Sequence, residues 1–151
     1  MTEQKQKSFT LPNSFLLGAA SSAHQVEGNN IYSDWWYQEQ QGKLPKSGQA
    51  ADHYQQFAND FSMAASIGLN AMRISIEWAR IEPKPGQWEY QAIKHYRAVL
   101  LSMKQNNLVR MVTLHHFTLP QWVAEQGGFN NQQTVTAFAR YARFIAEQLG
   151  T

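Results

Sequence analysis

Apolar and polar positions along this chain follow first one period and then another, and each switch marks a new element. Residues 15–25 open with Phe15, Leu16 and Leu17 and continue through the small residues Gly18, Ala19, Ala20, Ser21, Ser22 and Ala23, which reads as a buried strand ending in polar side chains. From Asp52, a suitable N-cap, Tyr54, Phe57, Phe61, Ala64 and Ala65 recur at helical spacing as far as Gly68. Residues 69–76 then alternate, with Met72, Ile74 and Ile76 on one side and Ala71, Arg73 and Ser75 on the other, as a strand requires. A turn containing Pro83, Pro85 and Gly86 leads to a second helix with Ile93, Tyr96, Leu100 and Met103 in phase, stopping near Asn106 and Asn107. Residues 108–116 read as a third, mostly apolar strand. Gly127 and Gly128 break the chain, and with Asn130 or Asn131 as cap, Val135, Phe138, Ala142, Ile145 and Leu149 form the buried stripe of a third helix ending at Gly150.

Strand and helix alternating in this way, with no internal repeat, predict an α/β fold of parallel βα units joined by right-handed crossovers. A doubly wound sheet and a segment of a (β/α)8 barrel both satisfy the pattern, so the inward-facing residues have to separate them. Residues 28–51 fit neither element. This long polar and aromatic stretch holds Asp34-Trp35-Trp36-Tyr37 and the breakers Gly42, Pro45 and Gly48, and loops of such length are usually functional or disordered.

Composition narrows the function classes. With 43% hydrophobic and 16% charged residues, the 151-residue chain is of ordinary globular type, read as part of one domain over 1–151. Its 13 Lys and Arg are scattered among 11 Asp and Glu, so no basic stripe calls for nucleic acid or an anionic membrane. No cysteine is present, which removes disulfides, thiolate metal sites and cysteine nucleophiles and fits a cytoplasmic address. Residues 1–10 are polar, and no apolar run approaches the roughly 18 residues of a membrane span. Aromatic residues make up 13%; they serve core packing, and sugar clefts also use such rings against pyranose faces.

Arg73 stands on the strand face opposite Met72, Ile74 and Ile76. If those pack on helices, Arg73 points to the middle of the fold, where a guanidinium needs an acidic partner. On an edge strand it would lie in solvent. Glu77 shares its parity near the strand's C-terminal end and is a possible partner. Gln25 and His116 hold corresponding places after the first and third strands, where an amide and an imidazole can each donate and accept, as vicinal sugar hydroxyls ask. A lone His there also fits a structural role. His115 and His116 point to opposite faces as strand neighbours and cannot chelate together, so neither metal nor cofactor is expected. Walker, G-x-G-x-x-G and G-x-S-x-G motifs do not occur. A search for two carboxylates would stop at Glu27 and Glu77, with Glu82 nearby, but these are not read as a catalytic pair.

The residues Phe15-Leu16-Leu17-Gly18-Ala19-Ala20-Ser21-Ser22-Ala23-His24-Gln25-Val26-Glu27-Gly28 resemble the opening signature of glycoside hydrolase family 1. Three further blocks agree in order and spacing: Asp52-His53-Tyr54, the run from Asn70 through Arg73, Glu77 and Trp78 to Ile81, and the run from Val112 through His115, His116, Phe117 and Thr118 to Pro120. The resemblance implies a (β/α)8 TIM barrel, here its first three βα units, and a retaining β-glucosidase-like hydrolase of terminal β-linked glucosides or galactosides, with phosphorylated forms of them left open. It implies that Gln25 and His116 bind glycone hydroxyls, with Phe117 beside them, and that Arg73 supports the nucleophile. In the family the acid/base Glu follows an Asn after the fourth strand and the nucleophile Glu comes near the seventh. Neither an Asn-Glu-Pro nor a Glu-Asn-Gly triplet exists here, so both catalytic Glu are expected beyond Thr151 and the chain alone is expected to be inactive. The aromatic after His116 is often Trp in the family and is Phe117 here. An acidic residue often stands where this chain has Thr118, and Ser where it has Glu77. The alternative is a non-catalytic carbohydrate-binding or interaction protein that reuses the fold. Three units also leave two strand edges and an interior face uncovered, which predicts a marginal, associating fold unless the rest of the barrel is supplied.

Overall fold

The computed structural model describes residues 9–150; residues 1–8, with most of the polar start of the chain, and Thr151 lie outside the described residues. Three short strands, β1 (Gly18–Ala20), β2 (Ala71–Ser75) and β3 (Val109–Thr113), form one parallel sheet in the order β1-β2-β3. The register aligns Ala20, Arg73 and Met111, which therefore share the face turned away from the helices. Crossover helices α3 (His53–Ser66) and α5 (Tyr90–Gln105), with α7 (Gln132–Leu149) after the last strand, cover the other face. Between them sit four short helices: α1 (Ala23–Val26), α2 (Asp34–Gln40), α4 (Trp78–Ile81) and α6 (Gln121–Glu125). A 3-10 turn at Gly128–Asn130 precedes α7.

The core forms where helical and strand periods meet. Ile74 and Ile76 pack with Phe61 of α3, with Ile93, Tyr96, Leu100 and Met103 of α5, and with Tyr141 and Ile145 of α7. Trp78, 1% exposed, is the aromatic centre: Tyr141 stacks on it at 5.1 Å between ring centroids, and Phe138 and Trp122 meet it edge-on. The Tyr141 hydroxyl donates to the Ile76 carbonyl at 3.0 Å, locking α7 to the end of β2.

Several local expectations need correction. The first strand is only three residues long, and the segment around Gln25 winds into α1. Phe15, Leu16 and Leu17 are about half exposed, and the paired residues Gly18–Ala20 are exposed as well, so the expected burial of the first strand is not met. At Gly18 a side chain would meet the Ala71 carbonyl at 2.7 Å, so the approach of β1 to β2 needs glycine there. Asp52 starts α3 from a left-handed conformation, φ 54°, and its side chain caps nothing. The long loop is partly helical: the Ser33 hydroxyl accepts from the Trp36 amide at 3.1 Å and starts α2. On α7 Val135 is 47% exposed, and Thr134 and Tyr141 take the buried stripe. Asn131 caps that helix, accepting from the Gln133 amide at 2.9 Å.

Two measurements check this description. Tyr141→Phe orphans the Ile76 carbonyl and should lower stability by about 1–2 kcal/mol in urea denaturation, without changing the slope. Val109 and Met111 on β3 are 50% and 60% exposed, so sedimentation velocity should show association rising with concentration, reduced by Met111→Lys.

Candidate functional site

The C-terminal ends of the three strands carry the polar and aromatic groups singled out in the sequence. Arg73 projects from β2 and is half-buried. Its guanidinium lies 3.3 Å from His116 Nε2. Arginine has no acceptor, so Nε2 accepts and the imidazole proton sits on Nδ1. The expected carboxylate partner is absent among the described residues: Arg73 Nε is buried without a hydrogen-bond partner, and so is His116 Nδ1. Glu77 is engaged elsewhere and does not pair with Arg73. His115 faces the opposite way, packing on Phe129 and Phe138.

Gln25 is exposed on α1, its Oε1 accepting from the Ser22 hydroxyl at 2.6 Å. It lines an open groove of about 400 Å³ with His24, Trp35, Glu39, Leu44 and Pro45. His24 is buried there. Asn30 Nδ2 donates to its Nδ1, so its Nε2 carries the proton toward Glu39, 3.2 Å away. Burial lowers the His24 pKa, with Glu39 opposing that shift. A row of rings then crosses the strand ends. Trp35 meets His24 edge-on at 5.5 Å and stacks on Phe117 at 5.8 Å, and Phe117 contacts His116 at 4.3 Å. Trp35 and Phe117 remain 39% and 53% exposed, so part of each ring stays open to an apolar surface despite their mutual stacking.

The loops after β1 and β3 are joined by a seam. The Asp34 amide donates to the Leu119 carbonyl, the Leu119 amide donates to Asp34 Oδ1, and the Gln121 amide donates to the Tyr32 carbonyl, each at 2.9 Å. Ser33 and Pro120 form an antiparallel bridge within it. In the sequence, residues 28–51 stood out as a loop of functional or disordered type, but the pairing of Asp34 with Leu119 left no local signal.

The carboxylates near the strand ends are structural in their contacts. Glu27 pairs with Arg80 Nε at 2.8 Å and accepts from the Tyr96 hydroxyl at 3.0 Å. Glu82, fully buried, accepts from Trp78 Nε1, from the Gly86 amide and from Arg140. Glu77 accepts from the Thr118 hydroxyl at 2.8 Å through one oxygen and from the Ala79 amide at 3.3 Å through the other. Burial raises the Glu77 pKa to about 7, the Thr118 bond opposing and the Glu27 charge adding to it. Burial likewise raises the Glu27 pKa against the pull of Arg80.

Parallel βα units whose strand ends gather polar side chains and exposed rings are the construction of (β/α)8-barrel enzymes. The family profile described as glycosyl hydrolase family 1 matches residues 7–151, and the chain belongs to that family. A 6-phospho-β-galactosidase 1 from Streptococcus pneumoniae is 38% identical over 147 residues, 91% of this chain and 31% of that protein. The apo structure of a β-glucosidase, 1317, matches with a TM-score of 0.88 at 44% identity, covering 91% of this chain and 35% of that one. A β-glycosidase from Pyrococcus horikoshii matches with a TM-score of 0.88 at 41% identity, covering 92% of this chain and 33% of that one. The chain thus spans about a third of the length of these relatives, and its fold is that of the first βα units of their barrel.

Protonation of Glu77 gives a testable pH dependence. Its folded-state pKa lies above the ordinary value of 4.5, so between pH 4.5 and about 7 the folded chain holds a proton that the unfolded chain releases. Stability from this group is complete below pH 4.5 and is lost as pH rises through 7, by up to about 1.4 kcal/mol per pH unit. Burial lowers the pKa values of His24, His95 and His115, which gives the opposite slope. The difference between wild type and Glu77→Gln in urea titrations isolates the effect and should fall across that window.

Proposed function

We propose that this chain forms the first three βα units of a retaining β-glycosidase domain and supplies one wall of its glycone site. The observation that carries the reading is Arg73: half-buried at a strand end, in contact with His116, and with a buried Nε that no described residue satisfies. A guanidinium so placed is ready for a carboxylate from another part of the protein. Beside it a nucleophilic Glu would stay ionised, because a neighbouring cation lowers a carboxylate pKa, while the acid/base Glu needs a raised one. Double displacement follows: the nucleophile attacks the anomeric carbon as the acid protonates the departing oxygen, and water then releases the glycosyl-enzyme with the second group acting as base.

Gln25 and His116 would hold glycone hydroxyls, and Phe117 with Trp35 would offer apolar faces to the sugar. Phe117 lacks the indole N–H that a Trp would present, which removes one hydroxyl contact. The contacts of Glu27 with Arg80 and Tyr96, and of Glu77 with Thr118 and the Ala79 amide, support a structural rather than a catalytic part for both. The substrate class is a β-linked glucoside or galactoside. Relatives bear the names β-glucosidase and 6-phospho-β-galactosidase, so free and phosphorylated sugars both belong in the test. No cofactor, nucleic acid or membrane enters this reaction. No described helix is long and apolar enough to cross a bilayer, and a cytoplasmic setting is part of the proposal.

Hydrolysis of chromogenic β-glucosides and β-galactosides, with and without 6-phosphate, should be compared for this chain and for the chain extended by the coding sequence that follows it. The extended form should be active and the 151 residues alone inactive. In the active form, His116→Ala should reduce kcat/KM by about tenfold or more. Activity in the 151-residue chain itself would overturn the assignment and make Glu27 and Glu77 the first residues to substitute.

A further inference from the structure

Phe117 adopts φ 58°, a left-handed conformation that costs a bulky aromatic residue about 1–3 kcal/mol and persists only where the surroundings enforce it. Its own side chain is no anchor, being 53% exposed against Trp35 and His116. The restraint comes from the next residue. The Thr118 amide donates back to the His116 carbonyl at 2.9 Å, closing a tight turn across Phe117, and the Thr118 hydroxyl donates to Glu77 at 2.8 Å. Thr118 and Glu77 are 3% and 4% exposed, so water does not compete for that bond.

We propose that Glu77, acting through Thr118, is a positioning residue that holds the turn at Phe117 and thereby aims His116 and Phe117 at the sugar. Capping α4 uses only one Glu77 oxygen, on the Ala79 amide, and a serine hydroxyl could do that alone. The longer carboxylate reaches across from β2 to the loop after β3. The brace stands on geometry alone, and its consequence for catalysis rests on the sugar-site reading above.

The test separates brace from cap and from sugar contact. Glu77→Ser keeps a capping hydroxyl but cannot reach Thr118, Thr118→Val removes the donor at constant shape, and Thr118→Ser retains it. Hydrogen–deuterium exchange of the amides of Thr118 and Leu119, read by mass spectrometry on the 151-residue chain at low concentration, should quicken about tenfold in Glu77→Ser and Thr118→Val and stay within about twofold in Thr118→Ser. In the extended, active form the first two should lose about tenfold in kcat/KM, mainly through KM, and Thr118→Ser should match wild type. Wild-type exchange in Glu77→Ser or Thr118→Val overturns the brace, whatever the sugar site does. Quickened exchange with unchanged kinetics leaves the brace standing and overturns the aiming of His116 and Phe117, while His116→Ala reports separately on the sugar contact itself.

Discussion

A carboxyl group is buried at low cost only where hydrogen bonds, a cation or a proton take the place of its water, and the strand ends of this protein bury Glu27, Glu39, Glu77 and Glu82 together. Most of the arrangement follows from meeting that requirement. Residues 77–82 leave β2 as a single compact turn whose side chains spread to every layer. Arg80 reaches Glu27 and the carbonyl of Gly28 after α1, and lies over the Tyr54 ring of α3. Glu77 reaches the loop after β3, Trp78 enters the α7 aromatic cluster, and Glu82 meets Arg140 of the same helix. Removing one member of the Glu27–Arg80 pair would strand a charge in the interior, a loss of about 3–5 kcal/mol.

The site inherits its rigidity from this hub. Arg73 sits two residues before Ser75, whose hydroxyl accepts from the Ala23 amide at 2.7 Å, so the end of β2 and the start of α1 are joined directly. Gln25 projects from that helix into the groove. His116 faces Arg73 from the third strand end. Groups that would touch a sugar are thus carried on short, hydrogen-bonded segments, each anchored to a buried polar contact.

Legibility in the sequence followed element length. The helices α3, α5 and α7 run for 14 to 18 residues, long enough for the helical period to show, and β2 displays the alternation that puts Arg73 opposite Ile74. Helices α1, α2, α4 and α6 have four to seven residues, too few for any period, and were missed. Apolar Phe15 to Leu17 suggested burial, but this edge strand is exposed along its length, and its pairing begins only at Gly18. Among the candidate site residues, position marked Gln25, Arg73 and His116, and the family resemblance added Phe117. Their partners were not legible, because Arg73 with His116, Glu77 with Thr118 and Asp34 with Leu119 are contacts 41 to 85 residues apart, set by tertiary packing.

The seam of Tyr32, Asp34, Leu119 and Gln121 bears on how such a pocket can diverge or be redesigned. It zips the first loop to the third across the end of the second strand. A crossover or graft that takes residues 30–40 from one homologue and 115–121 from another would mate halves shaped for different partners. The two stretches act as one structural unit despite the distance between them in the chain, and because only the Asp34 carboxylate in the seam is a side chain, libraries that keep it can vary the rest while the zip stays closed.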